Sequence, residues 1–283
     1  MSDIDNINWF PGHMTKALRE LKEEVKNVDA IIYVLDARIP LASLNPELDK
    51  LAGQKPILFV LNKIDLADKD KIDKLLNDNV FKKKYENSSV ILLNATASGA
   101  LKSVLSKLKI LCADKIERYK NKGIKSNIRA MIVGIPNSGK STLVNNLCGK
   151  GKALTGNKAG VTRGKQWVSV GSGFQILDTP GTLYPNLENQ SVAKKLAYVG
   201  SIRDEVLDKN ELAMDFIADI IKSYPNALKS RYGIEETGTK FEILESIALS
   251  RHFVLKGGDI DYDRTSVALI DDFRKGKLGN ITL

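Results

Sequence analysis

Two cysteines, Cys112 and Cys148, and two histidines, His13 and His252, are the chain's whole supply of thiol and imidazole metal ligands, and none of them lie at metal-ligand spacing. That scarcity excludes a disulfide framework and a zinc site of the usual Cys/His pattern, and both thiols are expected to be buried and reduced. Long apolar runs are missing as well. Ala30-Ile31-Ile32-Tyr33-Val34-Leu35 is among the longest, far short of the roughly 18 to 20 residues that cross a bilayer. The opening Met1-Ser2-Asp3-Ile4-Asp5 is acidic and has no apolar core, where a transit or export signal would be basic. No membrane partner is expected, and the expected location is the cytoplasm. Internal repeats and low-complexity stretches are also lacking.

What is present is a globular composition, 43% hydrophobic over 283 residues, long enough for two domains of which one can bury a full core. A monomer is expected. The net charge of +9 is unevenly spread. Residues 186–283 carry 14 basic against 16 acidic side chains, leaving an excess of 11 positive charges on the first 185 residues. Lys102 to Lys125 holds eight basic and two acidic residues, and Lys150 to Lys165 five basic and none acidic. Such stretches suit a polyanion, nucleic acid first among them, or they are simply a solvated lysine-rich face.

Apolar runs at Ala30–Leu35, Pro56–Leu61, Val90–Leu93 and Ile128–Val133 alternate with helical patterns and predict a parallel sheet covered by helices. Gln166–Val170 and Phe174–Leu177, joined through Gly171-Ser172-Gly173, predict a hairpin. One long amphipathic helix is expected from Leu101 to Tyr119, followed by the polar, basic linker Lys120–Lys125. After Pro185 only helical patterns remain. The clearest is the stripe Ala213, Phe216, Ile217, Ile220, Ile221 and Tyr224, closed by Pro225, with further helices near 240–255 and 263–275. The expected division is an α/β domain at 1–185 and a small all-α domain at 186–283.

Gly134-Ile135-Pro136-Asn137-Ser138-Gly139-Lys140-Ser141 follows an apolar strand and opens a helical pattern, the context a phosphate-binding loop requires. Its glycines let backbone N–H groups curl around a β-phosphate, with Ser138, Gly139 and Thr142 completing the phosphate-binding run. Lys140 would bridge the β- and γ-phosphates and Ser141 would ligate Mg²⁺. Asp178-Thr179-Pro180-Gly181 ends the hairpin. Asp178 is placed to hold Mg²⁺ and the Gly181 N–H to touch a γ-phosphate. Upstream, Thr162 in Gly160-Val161-Thr162-Arg163 is the expected second hydroxyl ligand of the metal. Asn62-Lys63-Ile64-Asp65 closes the second strand and selects the base. The Asp65 carboxylate can accept from guanine N1 and N2, whereas adenine would leave it unpaired, a loss worth roughly 10⁴- to 10⁵-fold in discrimination. Lys63 would lie along the base and Asn62 would brace the loop. Asn94-Ala95-Thr96 ends the next strand, with the Ala95 N–H expected on guanine O6. GTP and GDP are therefore the expected ligands.

The order of these motifs is unusual, since in most GTPases the phosphate loop comes first. Motifs at 62–65, 94–96, 134–141, 162 and 178–181, the N-terminal Trp9-Phe10-Pro11-Gly12-His13-Met14 and the ending Asp272-Phe273-Arg274-Lys275-Gly276-Lys277-Leu278-Gly279 resemble one family over essentially the whole chain. It is that of the circularly permuted GTPases of bacterial ribosome assembly, of the ribosome biogenesis GTPase A type. The resemblance implies a P-loop GTPase fold with motif order G4-G5-G1-G2-G3. It also implies an enzyme that binds a late precursor of the large ribosomal subunit and its rRNA, and leaves after hydrolysis. Where small signalling GTPases place a water-orienting glutamine, this chain has Thr182, and the resemblance assigns that task to His13. Asn137 in the phosphate loop implies stimulation by K⁺, or else only stabilises the loop. An RNA-binding switch with incidental hydrolysis is the alternative. A P-loop kinase would have no need of Asn62-x-x-Asp65.

Overall fold

The computed structural model describes residues 7, 12–125, 127–148, 166–171, 173–183 and 189–283, without the side chains of His13, Asp49, Cys148 and Gln166. Six strands form one sheet: β1 (Ala30–Asp36), β2 (Ile57–Asn62), β3 (Ser88–Leu93), β4 (Ile128–Val133), β5 (Gln166–Ser169) and β6 (Phe174–Asp178). Their spatial order is β3-β2-β1-β4-β6-β5, and every pair is parallel except the β5–β6 hairpin. Strand order runs outward in both directions from the neighbours β1 and β4. The loops that leave these strands part company there, which is where open α/β sheets bind ligands.

Both faces of the sheet are covered, so β1 and β2 are buried along their whole length and read as unbroken apolar runs. Ile32, Val34, Val60 and Ile132 face one core, together with Val104, Leu108 and Leu143 from the helices. Tyr33, Leu35, Phe59, Leu61 and Val133 face the other, against Leu18, Leu21, Leu48 and Ile72. After α1 (Gly12–Glu24), α2 (Pro46–Ala52), α3 (Lys69–Asn77) and α4 (Val80–Lys84), the single helix expected over 101–119 is two: α5 (Ala100–Leu111) and α6 (Ala113–Asn121), broken at Cys112 with φ −106 and ψ 19. The apolar stripe runs through the break as Val104, Leu108, Cys112, Ile116 and Tyr119, so periodicity alone could not reveal it. The turn accompanies a long-range ion pair, Lys115 to Asp29. Burial, assisted by Asp29, pushes the Cys112 thiol up to about 11, the state of a reduced, unreactive core residue.

The chain divides into two compact units, one within Phe10–Asn186 and the other formed by Leu187–Leu283 with residues from the N-terminal end. Ile7 is the described member of that end. It is buried, and its N–H donates to Gln190 Oε1 at 2.8 Å, so it sits in the helical unit and not in the α/β unit to which 1–185 assigned it. This unit comprises helices at Gln190–Tyr198, Lys209–Ser223, Ala227–Tyr232, Lys240–Ser250 and Tyr262–Arg274. The helix Lys209–Ser223 buries the expected stripe, Ala213, Phe216, Ile217 and Ile220, and stops two residues before Pro225, as proline geometry requires. Phe216 lies between Tyr198 and Phe273.

The C-terminal tail that stood out in the sequence is a lock for this unit. Buried Asp272 accepts from Arg231 Nε at 2.8 Å and from the Tyr232 hydroxyl at 3.2 Å, and it pairs with Lys277 at 3.0 Å. Arg274 donates to the carbonyls of Ala197 and Tyr198, both at 2.9 Å, and grips Asp204. It thereby supplies a donor to Tyr198 O at the end of helix Gln190–Tyr198 and shares Ala197 O with the Gly200 N–H. Burial works to raise the Asp272 pKa, but hydrogen bonds from Arg231 and Lys277 win and hold it below the usual carboxylate value. Its contribution is therefore present above the unfolded pKa of about 4 and lost as pH falls through the lower folded value. Asp272→Asn should lower the thermal midpoint by an amount equivalent to about 2 kcal/mol at neutral pH. In melts between about pH 3 and pH 7, that gap should close on the acid side.

Candidate functional site

The phosphate loop joins β4 to α7 (Lys140–Cys148), and two of its glycines are dictated by close approach. Gly134 has φ +150, and a Cβ there would meet the Val34 carbonyl oxygen at 2.2 Å; Gly139 has φ +94, and its Cβ would meet Asn62 Nδ2 at 2.2 Å. Buried Ser138 turns its hydroxyl inward to Ile135 O at 3.0 Å. Asn137 takes the left-handed conformation, φ +59, and is exposed at the tip. Ser141 and Thr142 lie partly buried in the first turn of α7, where backbone N–H groups lack intrahelical partners and favour an anion.

Asn62, the last residue of β2, ties three motifs together. Its Nδ2 donates to Ser138 O at 2.8 Å, and its Oδ1 accepts from the Ala95 N–H at 2.8 Å. The brace expected of Asn62 is present, and it also holds the Ala95 N–H that was expected on guanine O6. Asn94 Oδ1 caps the same loop through the Thr96 N–H at 2.9 Å. Asn146 of α7 adds a second tie, donating to Ala95 O at 2.8 Å and Ala97 O at 3.0 Å. Asp65 lies in the turn Ile64–Leu66, exposed, and no described residue bonds to its carboxylate. It is thus available to a base. Lys63 is left-handed, φ 61, and its ammonium donates to Asn137 O at 2.7 Å.

Sequence reasoning missed Asp36 and Arg38. Asp36 ends β1, fully buried, and its carboxylate takes a two-pronged grip from Arg38, Nε at 2.9 Å and Nη2 at 2.7 Å, and the Lys63 ammonium at 2.9 Å. Burial alone would raise its pKa; the charges of Lys63 and Arg38 overcome this and hold it far below the usual range. The available signal was an acid closing a wholly apolar strand with an arginine two residues on.

On the γ-phosphate side, Lys140 is buried and its ammonium donates to Ile135 O at 2.8 Å. Burial pushes its pKa down to about 8, the Asp178 charge resisting and the Lys63 charge assisting. Asp178 is buried too, and burial raises its pKa against the pull of Lys140. Its Oδ1 has no hydrogen-bond partner among the described residues. A buried, unpartnered carboxylate oxygen near the hydroxyl-bearing start of α7 is the donor set that fits Mg²⁺. Gly181 presses on the loop: a Cβ would stand 2.8 Å from Lys140 Nζ and from Pro136 Cα. Thr182 is buried, its N–H donates to Gly134 O at 3.2 Å, and its hydroxyl has no hydrogen-bond partner among the described residues. The backbone of His13 lies in the helix Gly12–Glu24, while its side chain, and Thr162 entirely, fall outside the described residues.

Comparison with known proteins agrees with this geometry. A family model described as 50S ribosome-binding GTPase matches residues 129–237. Ribosome biogenesis GTPase A of Bacillus cereus is 42% identical over 98% of this chain and 93% of its own length. The protein of the same name from Priestia megaterium is 39% identical over 98% and 96%. The crystal structure of GNP-bound YlqF from T. maritima is 30% identical, covers 94% of this chain and 97% of its own, and superposes with a TM-score of 0.66. Since the likeness runs through nearly the whole length and includes the site, the chain belongs to the ribosome biogenesis GTPase A family of GTP hydrolases.

Proposed function

We propose that the protein binds a late precursor of the large ribosomal subunit and its rRNA in the cytoplasm, hydrolyses GTP there, and uses hydrolysis to drive maturation and its own release. One observation carries the ribosomal part beyond the relatives' names. The connection from β3 back to β4 presents Lys102, Lys107, Lys109, Arg118, Lys120, Lys122 and Lys125, all exposed. Exposed basic side chains in this number suit phosphate backbones. The connection joins β3, which leads into Asn94-Ala95-Thr96, to β4, which leads into the phosphate loop. The basic stretch 150–165 is the second proposed contact and lies outside the described residues.

In this reading Asp65 accepts from guanine and Lys63 lies along the base, while Asn62 holds the loops in register. Lys140 and the N–H groups opening α7 take the phosphates, and Gly181 contacts the γ-phosphate. Ser141, Asp178 and Thr162 are the residues that would hold Mg²⁺. That ion, when bound, neutralises charge on the phosphate oxygens. His13 is the proposed orienting group for the attacking water, because Thr182 offers no amide. Asn137 is the proposed ligand of K⁺.

Purified large ribosomal subunits should accelerate GTP turnover manyfold, and His13→Ala should abolish the acceleration while leaving GTP affinity intact. Turnover that subunits do not stimulate would favour an RNA-binding switch, and an unaffected His13→Ala would remove the histidine from the mechanism. Turnover should also be faster in KCl than in NaCl at equal ionic strength; equal rates would exclude a K⁺ role for Asn137. Finally, phosphate favours the charged form of Lys140, so GTP binding should take up a proton once pH exceeds about 8. Affinity measured by calorimetry should be level below that value and weaken above it, by up to about tenfold per pH unit. A level affinity from about pH 7 to 10 would mean that the amine is already charged throughout.

A further inference from the structure

We propose that Asp36 and Arg38 are positioning residues for nucleotide recognition, acting through Lys63 to hold the guanine loop against the phosphate loop. The proposal rests on the GTPase activity of the family and not on the ribosomal partner.

The geometry forms a relay across three segments. Asp36 pairs in register with Asn62 on the adjacent strand, and the Ala37 N–H donates to Asn62 O at 2.8 Å. Arg38 is 2% exposed and fixes both carboxylate oxygens of Asp36, its own N–H adding a third bond to Oδ1 at 3.1 Å. With the carboxylate immobilised, Oδ2 receives Lys63 Nζ at 2.9 Å, and the same ammonium reaches Asn137 O at 2.7 Å. Each link is charge-assisted, the stronger class of hydrogen bond.

Stability alone is a poor reason to keep this cluster. A buried ion pair seldom outperforms apolar residues of equal volume, because desolvation offsets the attraction. Here the third member, Lys63, is not a core residue. Its side chain is 24% exposed and its backbone is left-handed, a conformation that persists in a non-glycine residue only where the surroundings impose it. The anchored ammonium is such a constraint. It places the aliphatic stem of Lys63 at the edge of the site and ties it to the phosphate-loop tip. Asp36 also offsets the Lys63 charge close to Lys140, so two ammonium groups can share one small site.

The test is a set of steady-state measurements on the full chain. Asp36→Asn should raise KM for GTP by at least tenfold and change kcat at saturation less than threefold, the pattern of lost uniform binding. In a Lys63→Ala background, where the relay is already cut, Asp36→Asn should have no further effect on KM. Arg38→Lys keeps the charge but loses the fork, and should raise KM by a smaller factor that likewise vanishes in Lys63→Ala. Thermal midpoints accompany each variant, and if Asp36→Asn does not fold, Arg38→Lys decides by the same cycle. Effects on KM that multiply independently of Lys63, a fall in kcat with KM unchanged, or an unchanged KM would each overturn the proposal.

Discussion

The nucleotide site hangs on the side chain of Asn62. One planar amide offers a donor to Ser138 O and an acceptor to the Ala95 N–H, so three loops from β2, β3 and β4 are held at fixed mutual distances by a single group. The requirement propagates. Gly139 must lack a side chain to admit the amide, and Asn62 must end β2 beside Asp36 at the end of β1. An aspartate would lose the donor, and a leucine would lose both bonds while leaving Ser138 O and Ala95 N–H unpaired in the protein interior, at about 1–3 kcal/mol each.

That cross-brace explains why the permuted chain still makes an ordinary site. Sheet order and register fix where each loop emerges, and neither depends on where the chain is cut. What the permutation demands is a path from β3, at one edge of the sheet, back to β4 at its centre past β2 and β1. Helices α5 and α6 supply it, packing Val104 and Leu108 on the sheet and turning at Cys112. The exposed surface of this detour carries many of the basic side chains, so the added connection and the surface proposed for rRNA are the same piece of chain.

Much of this was legible in the sequence for a physical reason: strands buried on both faces cannot hide among polar residues. Ile128–Val133 is found as read, and β1 and β2 extend one residue beyond their predicted ends, to the functional Asp36 and Asn62. The start of β3 was misread because Ser88 and Ser89 are polar where the strand lies at the sheet edge. The break at Cys112 was invisible because its apolar stripe is continuous. The bond from Ala95 N–H to Asn62 was not legible because a tripeptide says which N–H groups exist and not which side chains they meet. Asp36 and Arg38 escaped because a local ion pair leaves no periodic signal, and its links to Lys63 and Asn137 exist only once β1, β2 and the phosphate loop are assembled.

The electrostatics of the γ-phosphate side follow from the same assembly. Lys140 and Asp178 are buried near one another, each feels the other's charge, and yet no ion pair joins them. The ammonium is turned to Ile135 O instead, and Asp178 keeps an unpartnered oxygen. Their pKa values are displaced in opposite directions by burial, the lysine downward and the aspartate upward, which means that each charged form is disfavoured where it stands. A fold selected for stability alone would close the two into a salt bridge or replace both. Held apart, the two charges are not neutralised against each other: the ammonium makes one hydrogen bond, to Ile135 O, and one oxygen of Asp178 has no partner among the described residues. On the proposed reading, a triphosphate and a divalent cation would complete these charges and offset the penalty that burial places on each.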